Sequence, residues 1–360
     1  MAKIDAFFKL THDQGASDLH LIAGQPPALR LHGAIERIKY DTLDDDNLRS
    51  MLYEITPEEK IKEFEETGDI DFAYEIPGLA RYRGNYFMQK YGVGAVFREI
   101  PSEILTSEQL GLPEVISQLA GLPRGLVLVT GPTGSGKSTT LAAIIDVANS
   151  TRKDHIITVE DPIEFVHKSK KSIVNHREVG LHTKTFSSAL RGALREDPDI
   201  ILVGEMRDLE TISLAIEDAS TGHLVFGTLH TSSATKTIDR IIEVFPATEQ
   251  AQIRSTLSDS LKAVVAQVLF KRIDKVGRCA ALEILIATPA VRNLIRESKI
   301  HQIPSAIQTG KKLGMAFLDD SIMELHNKGW ISAEEAYAKA NNKTKFKPLL
   351  SAPPADFTDA

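Results

Sequence analysis

Cysteine is almost absent from this sequence, since Cys279 is the single cysteine among 360 residues. One thiol excludes a disulfide framework and any zinc site with four cysteines. No apolar run approaches the roughly 20 residues of a membrane-spanning helix, and the N-terminus lacks a signal-peptide pattern. Aromatic residues make up only 6 % and the net charge is −7, which argues against nucleic-acid binding. We therefore expect a soluble cytoplasmic protein with no nucleic-acid partner.

The order of segments along the chain predicts two domains. Residues 1–100 hold short alternating segments around an acidic stretch at 44–66, which predicts a small α+β domain on an antiparallel sheet. Residues 101–112 are predicted to be a linker that leads into a short helix. Over 113–350 apolar strands alternate with helical stretches, which predicts an α/β core with a mostly parallel sheet. The polar tail 351–360 is rich in Pro and Ala, and we expect it to be disordered.

Strand patterns recur in both predicted domains. The smaller domain contains SDLHLI (17–22), PALRLHG (27–33), IDFAYEI (70–76), ARYRGNYFMQ (80–89) and VGAVFREI (93–100). The core contains GLVLVT, HIITVE, IILVGE and LVFGTL. The stretch 44–66 favours one or two helices.

A glycine-rich loop follows the first core strand. Its residues are Gly131, Pro132, Thr133, Gly134, Ser135, Gly136, Lys137, Ser138 and Thr139. The glycines let successive backbone N–H groups point at phosphate oxygens, and a helix predicted from Lys137 to about Asn149 turns its N-terminus toward the anion. In this pattern Lys137 reaches the β- and γ-phosphates, and the hydroxyl of Ser138 contacts Mg²⁺. The loop predicts binding of a nucleoside triphosphate with Mg²⁺.

Two acidic segments follow predicted core strands. TVEDPIEF, at 158–165, carries Glu160, Asp161 and Glu164. Carboxylates at a strand end beside such a loop can hold Mg²⁺ through water or orient the attacking water. Alternatively, the segment is an acidic, solvated turn.

The second acidic segment is DPDIILVGEMRD, at 197–208. A common P-loop enzyme ends this strand with a Mg²⁺-binding Asp, but here Gly204 holds that place and Glu205 is the first carboxylate. A glutamate there can accept a hydrogen bond from the lytic water or contact the metal shell. Arg207 is either functional or only the ion-pair partner of a neighbouring acid.

Two histidines bracket the strand LVFGTL. His223 precedes it and His230 follows it. We expect the tip of this strand to face the nucleotide, where an imidazole N–H can sense the γ-phosphate. The alternative is a structural role, whereas metal binding is disfavoured because no Cys or second His lies at ligand spacing.

The order of these motifs resembles that of the secretion ATPases, and the similarity extends over nearly the whole chain. SDLHL and RYRGNYF…VFRE are similar to the small N-terminal domain of that family. AVRNLIRESKIHQIPSAIQTGKKLGM, at 290–315, is similar to a signature of its pilus-retraction branch, in which Val291 is usually Ile. The longer N-terminal region and four-cysteine zinc element of the assembly and type II secretion branches are missing.

The resemblance implies a homohexameric ring of chains, each with a PAS-like N-terminal domain and a RecA-like P-loop core. It implies hydrolysis of Mg²⁺–ATP to retract type IV pili, which drives twitching motility. The implied partner is an inner-membrane pilus platform protein, with a paralogous retraction ATPase as a further candidate, so the chain would lie at the cytoplasmic face of the inner membrane.

The resemblance also implies roles for individual residues. The matched positions are Lys137 and Ser138 in Walker A, Glu205 in Walker B, Glu160 and Glu164 in the Asp box, and His223 and His230 in the His box. Which Asp-box acid is the base stays open. We prefer Glu164, with Ser138, Glu160 and Glu205 nearer the metal and water.

Arginines in the N-terminal domain are candidates for phosphate contacts. Alternation along ARYRGNYF puts Arg81 and Arg83 on one face of a strand, and Arg98 lies in the following strand as a possible cross-strand neighbour. A planar guanidinium suits a γ-phosphate. The alternative is a solvated sheet face.

A basic stretch lies near the C-terminus. Residues 262–312 hold ten Lys or Arg against three Asp or Glu. One predicted helical face carries Val291, Leu294, Ile295 and Ser298. Arg292 and Arg296 lie on another face, with no acid spaced to pair with both. This face is either a solvated helix surface or a docking surface for the membrane-embedded platform, assisted by the negative cytoplasmic leaflet.

Two other function classes stay open. Conjugation-type ATPases share this core, so a nucleic-acid motor is possible, although the acidic charge and the low aromatic content disfavour it. A small-molecule kinase is also built on a P-loop, but no phosphoacceptor pocket can be recognised in the sequence.

Overall fold

The computed structural model describes residues 3–31, 34–100 and 103–351. The chain divides into two compact units, Met1–Glu103 and Ile104–Ala360. The predictions for residues 32–33, 101–102 and 352–360 lie outside the described residues. A short helix at Ser107–Leu110 falls within the predicted linker. We therefore keep the domain boundaries as a proposal.

The N-terminal unit is a six-stranded antiparallel sheet with three helices. Its strands run in the order β3-β2-β1-β6-β5-β4: β1 (Asp18–Ile22), β2 (Ala28–Leu31), β3 (Ala34–Arg37), β4 (Asp69–Ile76), β5 (Ala80–Gln89) and β6 (Gly92–Ile100). Its helices are α1 (Asp5–Asp13), α2 (Asp45–Tyr53) and α3 (Glu58–Thr67). The five predicted strands and the helical stretch are confirmed.

Two elements of this unit are missing from the sequence-based prediction. Helix α1 precedes the first strand and buries Phe7 and Phe8 in the core of the unit. Strand β3 is exposed at all four residues, so its sequence AIER shows no alternation of apolar and polar residues. An edge strand without a buried face leaves no periodic signal in the sequence.

The C-terminal unit is built on a seven-stranded sheet in the order β13-β12-β7-β11-β10-β8-β9. The strands are β7 (Gly125–Thr130), β8 (His155–Glu160), β9 (Ile173–Glu178), β10 (Ile200–Val203), β11 (Leu224–Leu229), β12 (Leu261–Lys271) and β13 (Arg278–Ile286). Every neighbouring pair is parallel except β12 with β13. The mostly parallel sheet is confirmed, although β9, β12 and β13 are absent from the predicted strands.

Helices cover both faces of this sheet. They are α4 (Ser107–Leu110), α5 (Glu114–Gln118), α6 (Lys137–Thr151), α7 (Phe186–Ala193), α8 (Leu209–Thr221), α9 (Ala234–Glu243), α10 (Gln250–Ser260), α11 (Pro289–Arg296), α12 (Ile303–Thr309), α13 (Leu318–Asn327), α14 (Ala333–Lys339) and α15 (Lys343–Phe346). No helix in the described part of the chain combines the length and the apolar character that crossing a bilayer needs.

Alternation along β7 shows how the sheet is held between two helical layers. Leu126 and Leu128 belong to the buried cluster that includes α8. Val127 and Val129 belong to the cluster on the other face, which includes α6. Burying each such side chain stabilises the fold by about 1.5–3 kcal/mol. The strand that leads into the glycine-rich loop is therefore fixed on both faces.

The carboxyl ends of four parallel strands meet at one edge of this sheet. Registered pairs place Leu229 of β11 beside Thr130 of β7, and Val203 of β10 beside Val159 of β8. Loops that leave these ends are brought together by the strand order β7-β11-β10-β8. We call this edge of the sheet the catalytic edge, because open α/β sheets bind ligands there.

Cys279 lies in the core of the C-terminal helical region. It is buried with Phe270, Tyr337 and Phe346 in a cluster formed by the β12–β13 hairpin and helices α13 to α15. Burial raises the pKa of its thiol above the ordinary value. The residue is a small core side chain, as the sequence predicts.

Candidate active site

The glycine-rich loop spans residues 131–136, between β7 and α6. Gly131 has φ 144° and passes close to β12: a Cβ at this position would lie 2.4 Å from the carbonyl oxygen of Gln267. No larger residue fits there without moving backbone. Gly136 forms the N-cap of α6, so the first N–H groups of this helix face the loop. A ready anion site follows from this geometry.

Gln267 holds the loop from the side. This residue is 1 % exposed on β12. Its Nε2 donates to the carbonyl oxygen of Ser135 at 2.6 Å, and its Oε1 accepts from the hydroxyl of Thr140 at 2.9 Å. This contact is absent from the sequence-based prediction, although a single polar residue within the apolar stretch AVVAQVLF is a signal for it.

Lys137 lies at the start of α6 with its ammonium turned back over the loop. Nζ donates to the carbonyl oxygens of Gly131, at 2.9 Å, and Pro132, at 3.2 Å. Burial lowers the pKa of Lys137, although the charges of Glu205 and Glu164 raise it. Within the described residues Lys137 makes no ion pair, so an anionic ligand would be a stronger partner than these neutral carbonyls.

Glu160, the last residue of β8, places a carboxylate beside the end of β10, where Gly204 stands in place of the usual aspartate. A Cβ at Gly204 would lie 3.2 Å from Cα of Glu160 and 3.3 Å from its Cγ. The space that an aspartate would need at position 204 is therefore filled by the neighbouring strand β8. A carboxylate stands next to the end of β10, although β10 itself does not bring it.

The Glu160 side chain is buried, with 8 % of the residue exposed. Burial raises its pKa to about 7, even though the backbone N–H of Glu164 and the hydroxyl of Thr158 both donate to its carboxylate. The N–H of Glu164 reaches Oε2 at 3.2 Å. The side chain of Glu164 itself is exposed to solvent.

Glu205 is oriented by two cationic or potentially cationic neighbours. Arg207 donates to Oε2 at 2.6 Å, and Nε2 of His230 lies 2.8 Å from Oε1. Burial alone would raise the pKa of Glu205, but the hydrogen bonds and charges of Arg207 and His230 outweigh it and lower that pKa below the ordinary value. Glu205 is thus an ionised acceptor at neutral pH. Arg207 pairs with an acid, one of its two predicted roles.

The donor set at the catalytic edge fits Mg²⁺. Ser138 and Glu160 line one open cleft, together with Leu141, Ala142, Phe165, His167, Leu202, Gly204 and Thr228. Hydroxyl and carboxylate oxygens suit this ion, which usually takes one or two protein ligands plus substrate phosphates. The described residues contain no cluster of three or more His, Cys, Asp or Glu side chains able to form a cage.

His223 lies at the amino end of β11, opposite the catalytic edge. Its carbonyl accepts from the N–H of Gly125, and its Nδ1 lies 3.1 Å from the carbonyl oxygen of Asp218. Six residues of β11 lie between His223 and His230, so these two residues are seven steps, or about 23 Å, apart at the rise of a parallel strand. Placing both histidines beside the nucleotide of one chain is wrong, because only the carboxyl end of the strand reaches the loop. A sensor role for His223 stays a prediction.

The three candidate arginines lie in the N-terminal unit. Arg83 and Arg98 are paired residues of β5 and β6, which confirms the predicted cross-strand neighbours. Nε of Arg83 lies 3.8 Å from Asp71, and Nε of Arg98 donates to the buried Asp18 at 2.8 Å. Arg81 is half-buried on the same face of β5. Their role in hydrolysis stays a prediction.

A glycine-rich loop at the start of a helix, beside carboxylates at the ends of parallel strands, defines a P-loop ATPase. The model of the type II/IV secretion system protein family matches residues 105–343. PilT of Pseudomonas aeruginosa, a type IV pilus retraction ATPase, is 59 % identical over 92 % of this chain and 96 % of its own length. PilU, a type IV pilus ATPase of the same organism, is 37 % identical over 97 % of this chain and 91 % of its own.

A solved structure agrees with these relatives. The pilus retraction motor PilT with bound ADP superposes with a TM-score of 0.89 at 45 % identity, covering 96 % of this chain and 98 % of that one. The chain therefore belongs to the type II/IV secretion system protein family and, within it, to the ATPases that PilT represents. The predicted fold class, a RecA-like P-loop core with a smaller N-terminal α+β domain, is confirmed.

Proposed function

We propose that this chain is an ATP-driven motor that retracts type IV pili and thereby powers twitching motility. The observation that carries the proposal is the match to PilT along 96 % of that protein at 59 % identity. The lower identity to PilU, 37 %, favours the principal retraction motor over a paralogous one. PilU-like chains remain candidate partners.

The residues of the catalytic edge suggest how ATP is hydrolysed. The phosphates would lie over the loop and the N-terminus of α6, and Lys137 would exchange its two carbonyl partners for phosphate oxygens. Ser138 and Glu160 would hold Mg²⁺, which neutralises charge on the β- and γ-phosphates when bound.

Two glutamates are placed to act on the attacking water. Glu164 is exposed and free to accept a proton, so we keep it as the preferred base. Glu205 is ionised and oriented, so it can accept a hydrogen bond from the same water. His230 donates to Glu205 and can exchange this partner for the γ-phosphate, which would make it the sensor of hydrolysis.

The assembled state is part of the proposal. The resemblance to the secretion ATPases supports a homohexamer in which Arg81, Arg83 and Arg98 complete nucleotide sites. ATP is a cytoplasmic metabolite and the platform protein lies in the inner membrane, so we place the ring at the cytoplasmic face of that membrane.

Helix α11 supports a docking surface, with corrections to the sequence-based picture. Val291 and Ile295 are buried, but Ser298 lies beyond the end of the helix with φ 59° and does not extend that face. Arg296 pairs with Asp259 of α10 at 2.7 Å, an acid that helical spacing alone does not reveal. Arg292 donates to the carbonyl oxygen of Ala287 at 2.9 Å.

The surface around Arg292 stays positive. Burial is the main cause that lowers the pKa of Lys262; the charges of Arg292 and Arg124 lower it further, whereas the charge of Asp259 raises it. Three cations therefore lie near one acid, Asp259, which already pairs with Arg296, and the bonded partner of Arg292 is the neutral carbonyl of Ala287. We propose that this surface docks on an acidic face of the pilus platform protein.

Complementation tests the function and the docking surface together. In a P. aeruginosa strain without PilT, the chain should restore twitching, whereas Glu205→Gln should not. Arg292→Ala/Arg296→Ala should assemble and hydrolyse ATP within about twofold of the parent chain, yet leave cells piliated and unable to twitch. Losing one exposed ion pair costs only about 0–1 kcal/mol, so folding should survive.

A matched control removes two exposed cations from elsewhere on the surface. Lys299→Ala/Lys328→Ala loses the same charge from pairs with Glu297 and Glu324, and it should twitch normally. If the parent chain hydrolyses ATP but does not restore twitching, the retraction function is wrong. If the parent chain restores twitching and the arginine variant twitches equally well, the docking surface lies elsewhere.

A further inference from the structure

The loop that carries Glu164 is held by side chains. We call residues 161–170 the acidic loop; it has no helix or strand. Within the described part of the chain, none of its N–H groups donates to a backbone carbonyl. Such a loop takes its shape from the side chains that bond to it.

Two of these side chains come from the edge strand β9. Oε2 of Glu178 accepts from the N–H of Ile163 at 3.0 Å, and Nε2 of His176 accepts from the N–H of His167 at 3.0 Å. Residues two apart on a strand point to the same face. Both therefore reach the acidic loop, and their contacts fall on either side of Glu164.

Burial makes these contacts specific. Glu178 is 3 % exposed, and the imidazole of His176 stacks on that of His167 with 5.9 Å between ring centroids. A buried N–H that loses its acceptor is left without a hydrogen bond, which is costly, so the loop has a strong preference for this arrangement.

The same histidine connects the loop to Glu160. Because a backbone N–H can only donate, Nε2 of His176 is the acceptor and its ring proton lies on Nδ1. Nδ1 then donates to the hydroxyl of Thr158 at 2.7 Å, which leaves that hydroxyl free to donate to Glu160. Glu160 in turn accepts from the N–H of Glu164 at 3.2 Å.

We propose that His176 and Glu178 are positioning residues for ATP hydrolysis. They fix the backbone at residues 163 and 167, and His176, through Thr158 and Glu160, also fixes the N–H of residue 164. The carboxylate of Glu164 is thereby presented to the attacking water. This inference rests on the proposed role of Glu164 as the base.

Paired substitutions on β9 test the positioning. Glu178→Ala and His176→Ala remove the acceptors, and kcat should fall about 10- to 100-fold, the cost of a misplaced catalytic group. The KM for Mg²⁺–ATP should stay within about threefold, because the phosphate-binding loop keeps its own contacts. Glu178→Gln and His176→Gln keep an acceptor at similar reach and should retain kcat within about threefold.

The opposite face of β9 gives the matched control. Arg177 bonds to Glu196 at 2.8 Å, away from the acidic loop, so Arg177→Ala should leave kcat unchanged. Should an alanine variant not fold, Glu178→Asp and His176→Asn shorten the reach and take its place with the same expected loss. Normal kcat in the shortened or alanine variants would overturn the proposal, as would a loss in Arg177→Ala of equal size.

A double-mutant cycle separates positioning from a general structural role. If Glu178 acts through Glu164, adding Glu178→Ala to Glu164→Gln should lower kcat by no more than about twofold, because the group being positioned is already gone. Losses that multiply would overturn the proposal. Failure of the proposed base looks different: Glu164→Gln alone would then hydrolyse ATP at the parent rate, whatever the Glu178 variants do.

Discussion

Glu205→Gln is expected to bind ATP with near-parent affinity and to hydrolyse it at least about 100-fold more slowly, the scale of lost acid–base assistance. The substitution keeps the shape of the side chain but removes the charge that Arg207 and His230 orient. Glu164→Gln should lose turnover on the same scale. Phosphate release measures turnover, and titration with a fluorescent nucleotide measures affinity.

An unrelated exposed glutamate serves as control. Glu324 on α13 pairs with Lys328, and Glu324→Gln should hydrolyse ATP at the parent rate. If both active-site variants turn over ATP normally while the control behaves as expected, neither glutamate assists the attacking water. The acidic loop would then have to work through Glu160.

Arg83→Ala is expected to lose about 10³-fold in turnover while its affinity for Mg²⁺–ATP changes only a few-fold, which is how a residue acting on the transition state behaves. Arg83 suits this test because its partner Asp71 is exposed, so little folding energy depends on the pair. Arg98→Ala is a harsher change, since it removes a partner of the buried Asp18. Turnover and affinity of Arg81→Ala should be measured in the same way.

Mixing variants tests whether a site uses two chains. Equal amounts of Arg83→Ala and Glu164→Gln should recover part of the parent activity, because some sites then combine an intact arginine with an intact glutamate. Arg37→Ala, an exposed arginine of β3, should be fully active alone. Mixed assemblies that form but stay inactive at every ratio would show that each site is complete within one chain.

The nucleotide-binding loop could be predicted because its information is local. Nine consecutive residues set the turn, the helix start and the lysine, and the structure places helix α6 at Lys137–Thr151 as expected. The faces of β5 follow from strict alternation, with Tyr82 and Tyr86 fully buried opposite the arginines. Short-range periodicity carries such features.

The supports of the site could not be predicted because they join distant segments. Gln267 reaches the loop from 132 residues away along the chain, and His176 and Glu178 belong to a polar edge strand that resembles a loop in the sequence. The misplacement of His223 has a related cause: the sequence shows that two histidines flank a strand, but only the parallel sheet shows which end meets the nucleotide.

The central claim is that the chain hydrolyses ATP as a ring of six. Light scattering of Glu205→Gln with Mg²⁺–ATP measures the mass directly, because the bound nucleotide is not consumed, and the parent chain is assayed for turnover over the same concentrations. We predict six times the chain mass of 39.6 kDa, with turnover per chain rising as the assembly forms. A chain that stays monomeric with nucleotide and still hydrolyses ATP at full rate would contradict the proposal that it works as a hexameric motor.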